Sequence, residues 1–194
     1  SEVSFSVAKE EIVAILGPSG CGKSTLLNII AGLMTAEDGT VCFDGKPITD
    51  IPPHQRNFGL MFQDYALFPH RDVFGNVAFG LQQQSIPLTT IQQKVTTILK
   101  KVGLTNYSHR DVNTLSGGEQ QRVAIARLMV QNPRILLADE PVSSLDPARA
   151  NEILQLLTGL AGDSGKTLLA SLHAPELIRK YFSRVIGLRA GVLQ

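Results

Sequence analysis

The sequence predicts an α/β fold built on a mainly parallel sheet, with a small antiparallel portion and an inserted helical lobe. Three observations predict it. Apolar runs of buried-strand type at residues 12–16, 135–138, 167–172 and 185–188 are separated by segments of helical period, and strands alternating with helices make a parallel sheet. A glycine-rich break follows the first run and opens a helix. The turn pair Asp44-Gly45 after Thr40-Val41-Cys42-Phe43 predicts a hairpin. With 194 residues, 43% of them hydrophobic, the chain can bury one full core. A single domain over 1–194 is expected, with the helical lobe inserted at about 64–132.

Each element has its own signal. Val3, Phe5 and Val7 alternate with Ser4 and Ser6 as in a half-buried strand, and the continuous run 12–16 reads as a strand covered on both faces. Residues 24–31 suit a buried helix stopped by Gly32. Residues 58–79 hold five of the eight Phe residues among Gly59, Pro69 and Gly75 without a long period, so they read as loop and short helix. Ile91, Val95, Ile98, Leu99 and Val102 then fall at helical spacing, with Thr89 and Gln92 placed as a capping box and Gly103 as a stop. In the last third, Ile153, Leu154, Leu156, Leu157 and Leu160 form the inward stripe of a helix between two strands.

Composition excludes several classes. Eighteen basic against 17 acidic residues give a net charge of +1, too weak a field for a non-specific nucleic-acid coat, and no nucleic-acid partner is expected. No apolar run approaches the length of a spanning helix, and Ser1 to Ala8 lacks the basic-then-apolar order of a secretory signal. A soluble chain is expected. Cys21 and Cys42 have neither CxxC spacing nor a His cluster nearby, which points away from disulfides and zinc and towards a reducing, cytoplasmic setting.

The glycine-rich break is Gly17-Pro18-Ser19-Gly20-Cys21-Gly22-Lys23-Ser24, which fits G-x-x-x-x-G-K-[ST] at every position, after a strand and opening a helix. Its glycines let successive N–H groups point at phosphate oxygens, and the helix adds its positive end. Lys23 is placed to reach the β- and γ-phosphates, and Ser24 to put its hydroxyl on Mg²⁺. Asp139 and Glu140 follow the run 135–138, at the strand edge where open α/β sheets bind ligands. Asp139 is the candidate to hold Mg²⁺, and Glu140 the candidate general base for an attacking water. His173 follows the run 167–172 to the same edge, where it serves either as a structural side chain or next to the γ-phosphate. Gln63 follows Leu60-Met61-Phe62 in the same way, and its neutral amide suits both Mg²⁺ and water.

Ser116-Gly117-Gly118-Glu119 fits a capping box opening a helix over 120–130, with two glycines leaving the first N–H groups uncovered. A well-capped helix is one reading. The other is that this second helix start serves the nucleotide of another copy, which makes a two-fold dimer with composite sites.

Taken in order, residues 17–25, Gln63, Leu115-Ser116-Gly117-Gly118-Glu119, Leu137-Ala138-Asp139-Glu140-Pro141, Ser144-Leu145-Asp146 and His173 resemble the Walker A motif, Q-loop, signature, Walker B motif, D-loop and switch histidine of the ABC transporter ATPase family. The resemblance spans nearly the whole chain. It implies a P-loop ATPase core that binds ATP with Mg²⁺ through Gly17, Pro18, Ser19, Gly20, Cys21, Gly22, Lys23, Ser24, Thr25 and Gln63, with Ser24, Gln63 and Asp139 on the metal. It implies catalysis by Glu140 and His173, with Ser116, Gly117, Gly118 and Glu119 completing the site of a second ATPase subunit and Asp146 lining the dimer interface. It also implies separate transmembrane permease subunits and a periplasmic or surface solute-binding protein, with the chain peripheral to the cytoplasmic face of the inner membrane. Tyr65, Leu67, Phe68 and Phe74 are candidates for the groove that meets the permease, or for a local core of the lobe.

The sequence departs from that pattern in places. Only 16 residues precede Gly17, and Phe5 lies too close to it to be the family's adenine-stacking aromatic. Glu10 stands where a turn glycine is usual, Ala174 where Asp commonly follows the histidine, and Arg71-Asp72 where an apolar residue and Thr are expected. Residues 63–70 resemble iron, polyamine and sugar importers, whereas 137–146 and 185–189 resemble phosphonate-type ATPases. On these conflicting cues an oxyanion such as phosphonate ranks slightly first as solute, with iron or a polyamine as the alternative, and a chain that stops at Gln194 without the regulatory C-terminal domain of the former group is expected to match that group less well. Two rivals remain. A soluble ABC protein acting on DNA would insert long coiled coils between the Walker motifs, and Asp139 lies only 116 positions after Lys23. A nucleotide-binding scaffold without turnover fits the short N-terminus, but every residue needed for chemistry is present.

Overall fold

The computed structural model describes residues 3–173, 175–189 and 191–193. In chain order the elements are β1 (Ile12–Leu16), α1 (Lys23–Ala31), β2 (Cys42–Phe43), β3 (Lys46–Pro47), α2 (Pro53–Arg56), β4 (Phe58–Met61), α3 (Val73–Gln82), α4 (Leu88–Lys101), a 3₁₀ turn (Val112–Thr114), α5 (Gly117–Val130), β5 (Ile135–Ala138), α6 (Pro147–Asp163), β6 (Thr167–Leu172), α7 (Pro175–Tyr181), β7 (Arg184–Arg189) and β8 (Val192–Leu193). Among the described residues six strands form one sheet in the order β4-β5-β6-β1-β7-β8. All neighbours run parallel except β7 and β8. The hairpin β2–β3 stands apart and turns at Asp44 and Gly45 with φ of 50° and 72°, the pair of left-handed residues a two-residue hairpin loop needs.

A parallel sheet must be covered on both faces, and the alternation along its strands supplies two cores. Ala14, Leu136, Ala138, Leu168 and Ala170 enter the larger core with residues of α3 to α6. Ile15, Leu137, Leu169 and Leu188 enter the smaller one with Leu27 and Ala31 of α1. Parallel register brings the strand ends level: Leu16 lies opposite Leu172, Ala138 opposite Ala170, and Met61 opposite Ala138. Gly17, Gln63, Asp139 and His173 therefore all leave the sheet at one edge.

Three local expectations change. Val3, Phe5 and Val7 form no strand; they pack half-buried on the smaller core without a paired neighbour, so their alternation reports one-sided burial alone. Thr89 and Gln92 do not cap α4, which starts one residue earlier behind Pro87 and has no side-chain cap. Residues 58–79, expected as loop and short helix, also hold the strand β4, while their helix is α3, which runs on to Gln82. Four residues are too few to show a strand period, and the loop between them is held by a side chain instead. Fully buried Asn76 donates to the carbonyls of Phe68, Arg71 and Asp72 and accepts from the Phe68 N–H. Glu10, which replaces the expected turn glycine, adopts the left-handed backbone at φ 63°.

Candidate active site

The turn after β1 can be made only by small residues. A Cβ on Gly17 would lie 2.2 Å from the Leu188 carbonyl oxygen and 2.6 Å from Cys21 Sγ, and Gly22 caps α1 at φ 100°. No side chain caps this helix start and no acid sits in its first turn. Its amides and the positive end of its dipole are left for an outside anion. Lys23 is 3% exposed; its Nζ donates to the carbonyls of Gly17 at 2.9 Å and Pro18 at 3.0 Å.

Two strand ends converge on that lysine. Glu140 Oε1 lies 3.6 Å from Lys23 Nζ, and His173 Nδ1 lies 3.5 Å from it. The other ring nitrogen of His173 is hydrogen-bonded to Glu140 Oε1. Glu140 takes a left-handed backbone at φ 47°, which its N–H secures by donating to Ser171 Oγ at 2.8 Å. That serine also donates to Asp139 Oδ1 at 2.7 Å, and Ser24 Oγ donates to the same oxygen at 2.9 Å. Hydroxyl and carboxylate oxygens at the mouth of a phosphate-type turn match the preference of Mg²⁺, which completes its shell with phosphate and water. Ser171 escapes a motif-based reading; its only signal is a hydroxyl inside the apolar strand β6, where it is fully buried. Gln63 sits exposed two residues beyond β4, and the neighbouring Asp139 N–H donates to Met61 O at 2.9 Å.

The structure does not bring residues 116–119 into this cluster. Ser116 and Gly117 are exposed at the tip of α5, and Cβ atoms built on Gly117 and Gly118 would meet open space. The capping box is formed: Ser116 N–H and Oγ donate to Glu119 Oε2 at 2.7 and 2.8 Å. Tyr107 donates to the other oxygen at 2.7 Å. That bond first, and the Ser116 contacts next, hold the Glu119 carboxyl below the usual carboxylate range, while the same bond raises the Tyr107 phenol. Asp146 is exposed and caps α6 by accepting from Arg149 N–H at 3.1 Å.

Of the residues expected in a permease groove, Tyr65 is buried, and Leu67 and Phe74 are half-buried against the larger core. Phe68 packs on Phe79 with centroids 4.5 Å apart and the rings tilted by 48°. The exposed large apolar side chain of this segment is Phe62. Ala174 lies outside the described residues. No helix among the described residues is long and apolar enough to cross a membrane.

A family model described as ABC transporter matches residues 1–143. The chain is 45% identical over 192 residues to the spermidine/putrescine import ATP-binding protein PotA of Bacteroides fragilis, covering 99% of this chain and 42% of that protein. It is 44% identical over 189 residues to the Fe(3+) ions import ATP-binding protein FbpC of Streptomyces avermitilis, covering 97% and 55%. It thus spans about half the length of these relatives. Among solved structures it superimposes on CbiO1 of Clostridium perfringens, part of the ABC transporter complex CbiONQ, with a TM-score of 0.90, 31% identity, and coverage of 99% of this chain and 78% of that one. The ATP-binding cassette MJ0796, solved as a dimer in a post-hydrolysis state bound to ADP and Pi, gives 0.87 at 34% identity with coverage of 98% and 86%. Relatives named for polyamines and ferric iron overturn the ranking of an oxyanion such as phosphonate as first choice of solute; short matches at 137–146 and 185–189 were outweighed by likeness over the whole chain. On the family match and these likenesses together, the chain belongs to the ABC transporter family, among its ATP-binding cassettes.

Proposed function

We propose that the chain binds and hydrolyses ATP as the energising subunit of an importer for a polyamine or for ferric iron. The observation that carries the hydrolysis is the convergence of Lys23, Asp139, Glu140 and His173 on one sheet edge beside an uncapped helix start. The amides of 17–25 and the Lys23 ammonium take the phosphates. Ser24, Asp139 and Gln63 hold Mg²⁺, which when bound neutralises charge on the phosphate oxygens. Glu140 accepts the proton of the attacking water, and His173 steadies its carboxylate through the hydrogen bond to Oε1.

The tip of α5 serves a second copy. Among the described residues, Ser116, Gly117 and Gly118 stand at an open surface apart from the Lys23 cluster, and a two-fold pair with Asp146 at the seam completes both sites. Support for the pairing comes from the dimeric form of MJ0796. Residues 64–132 act as the lobe that carries this tip and meets a separate permease; the mutual packing of α3, α4 and α5 supports it. The solute class follows the names of the PotA and FbpC relatives, and with it a peripheral place on the cytoplasmic side of the membrane and a separate solute-binding protein.

Phosphate release by the purified chain with Mg²⁺ and ATP tests this. Specific activity that rises with protein concentration is expected from a shared site; a chain that releases no phosphate at any concentration overturns the reading. Vesicles holding the chain with its permease should take up spermidine or ferric ion at the expense of ATP, and uptake of neither removes the solute class.

A further inference from the structure

The turn after β4 has an uncommon backbone. Tyr65 and Ala66 are consecutive non-glycine residues in the left-handed region, at φ 61° and 43°, where a Cβ is unfavourable. Two anchors hold them there. Arg127 of α5 donates to Ala66 O at 2.7 Å and Tyr65 O at 2.6 Å, its guanidinium pulled below its ordinary value by burial. The buried Tyr65 hydroxyl shares a 2.9 Å hydrogen bond with Ser144 Oγ.

Ser144 belongs to a different turn. It lies four residues after Glu140 and two before Asp146, in a segment closed by Ser143 N–H to Glu140 O at 3.2 Å and Leu145 N–H to Val142 O at 3.3 Å. Gln121, fully buried on α5, donates to Pro141 O in the same segment. Helix α5 thus grips both turns, and the Tyr65–Ser144 bond is a direct side-chain tie from one turn to the other. Tyr65 follows Gln63 by two residues, so each end of this tie lies two residues from a candidate functional side chain.

We infer that Tyr65 is a positioning residue whose hydroxyl locks the turn carrying Gln63 to the turn carrying Asp146, so that displacing either moves the other. The inference rests on the proposed roles of Gln63 at the nucleotide and Asp146 at the seam between copies. Backbone held in an unfavourable region relaxes when an anchor is cut. Loss of the hydroxyl therefore frees both turns, while the phosphate-binding turn at 17–25, which neither residue touches, keeps its shape.

Tyr65→Phe, Ser144→Ala and the double variant, each in the full chain, test the lock with three readouts: turnover with Mg²⁺ and ATP, ATP affinity of the monomer, and dimer formation in a Glu140→Gln background. Each single variant should lower turnover and weaken ATP-dependent dimerisation about fivefold, as loss of one ordinary hydrogen bond does, with monomer affinity for ATP measured without Mg²⁺, where the turn at 17–25 binds without Gln63, within twofold of the parent. The double variant should be no worse than either single one, since both cut the same bond, and Ser144→Thr, which keeps a hydroxyl, should recover most of the loss. Additive losses, a parallel fall in monomer affinity, or parent-like behaviour of both single variants overturn the lock. A parent that turns over ATP while the variants match it sinks the lock alone; a parent without turnover sinks the functional reading beneath it.

Discussion

Helices α1 and α5 both open beside small residues and uncovered amides, yet they satisfy those amides in opposite ways. α1 starts at Gly22 with no cap and no acid, and three other side chains, Asp139, Glu140 and His173, stand around its first turn. α5 starts at Ser116 with its own acid already in place: Glu119 closes the box, and Tyr107 holds Glu119. A helix start that lacks a cap leaves its amides to water or a ligand; one that carries its own cap is stable alone. A free helix end therefore does not by itself identify a phosphate site. Convergent acid, base and cation do, and only the α1 end has them.

The largest expected effect breaks the α1 side of this contrast. Glu140→Gln should lower turnover by about 10²–10⁴-fold while ATP still binds; single-turnover phosphate release measures it, and a rate equal to the parent's removes Glu140 from proton transfer. The far ends of the two helices differ as well. Arg56 is buried and donates to Ile29 and Ile30 carbonyls at the end of α1 and to Thr49 and Ile51 carbonyls beyond it, whereas α5 uses Arg127 to hold a neighbouring turn. Arg56→Leu should cost about 3 kcal/mol, because four part-buried carbonyls lose their charged donor together. Chemical denaturation reads this directly, and a cost under about 0.5 kcal/mol, the size of an ordinary surface change, means the clamp does not hold α1.

Smaller effects sharpen the α5 side. Ser116→Ala should reduce turnover about tenfold, the size of one lost charge-assisted contact, without weakening ATP binding by the monomer. An equal loss in monomer binding would place Ser116 at its own chain's nucleotide and end the contrast. The smallest effect is pH-dependent. The Glu119 carboxyl is held below its ordinary range when folded, so its contribution to stability is full above the unfolded value and disappears as pH falls through the folded one. Tyr107→Phe removes the largest cause of that shift, raises the folded value, and should start the acid loss at higher pH. Melting temperatures recorded down through the carboxylate range check it, and superimposable curves for parent and variant leave Tyr107 no part in holding Glu119.

Much of the phosphate side was legible in the chain because its signals are local. The turn 17–24, the strand ends at Asp139 and His173, and the capping box at Ser116 each lie within a few consecutive residues, and the structure forms all of them. What was hidden acts across distance. Ser171 meets Asp139 from 32 residues away, Tyr65 meets Ser144 from 79, and Arg56 meets Ile29 from 27. A hydroxyl in an apolar strand or an arginine in a short helix carries no motif. Two apparent local signals also failed: the alternation at 3–7 marks burial without a ladder, and Pro87 started α4 before Thr89 could cap it.

By itself the sequence determined the alternating sheet, the glycine turn and the order of the candidate groups along the chain, because period, φ preference and capping are properties of neighbours. Tertiary structure alone decided that Lys23, Glu140 and His173 touch, that Ser116 lies exposed outside their cluster, and that the strained turn at Tyr65 is tied to the turn at Ser144 by a pair of hydroxyls. Such meetings depend on parallel register and on which helix covers which face, and no stretch of neighbouring residues encodes either.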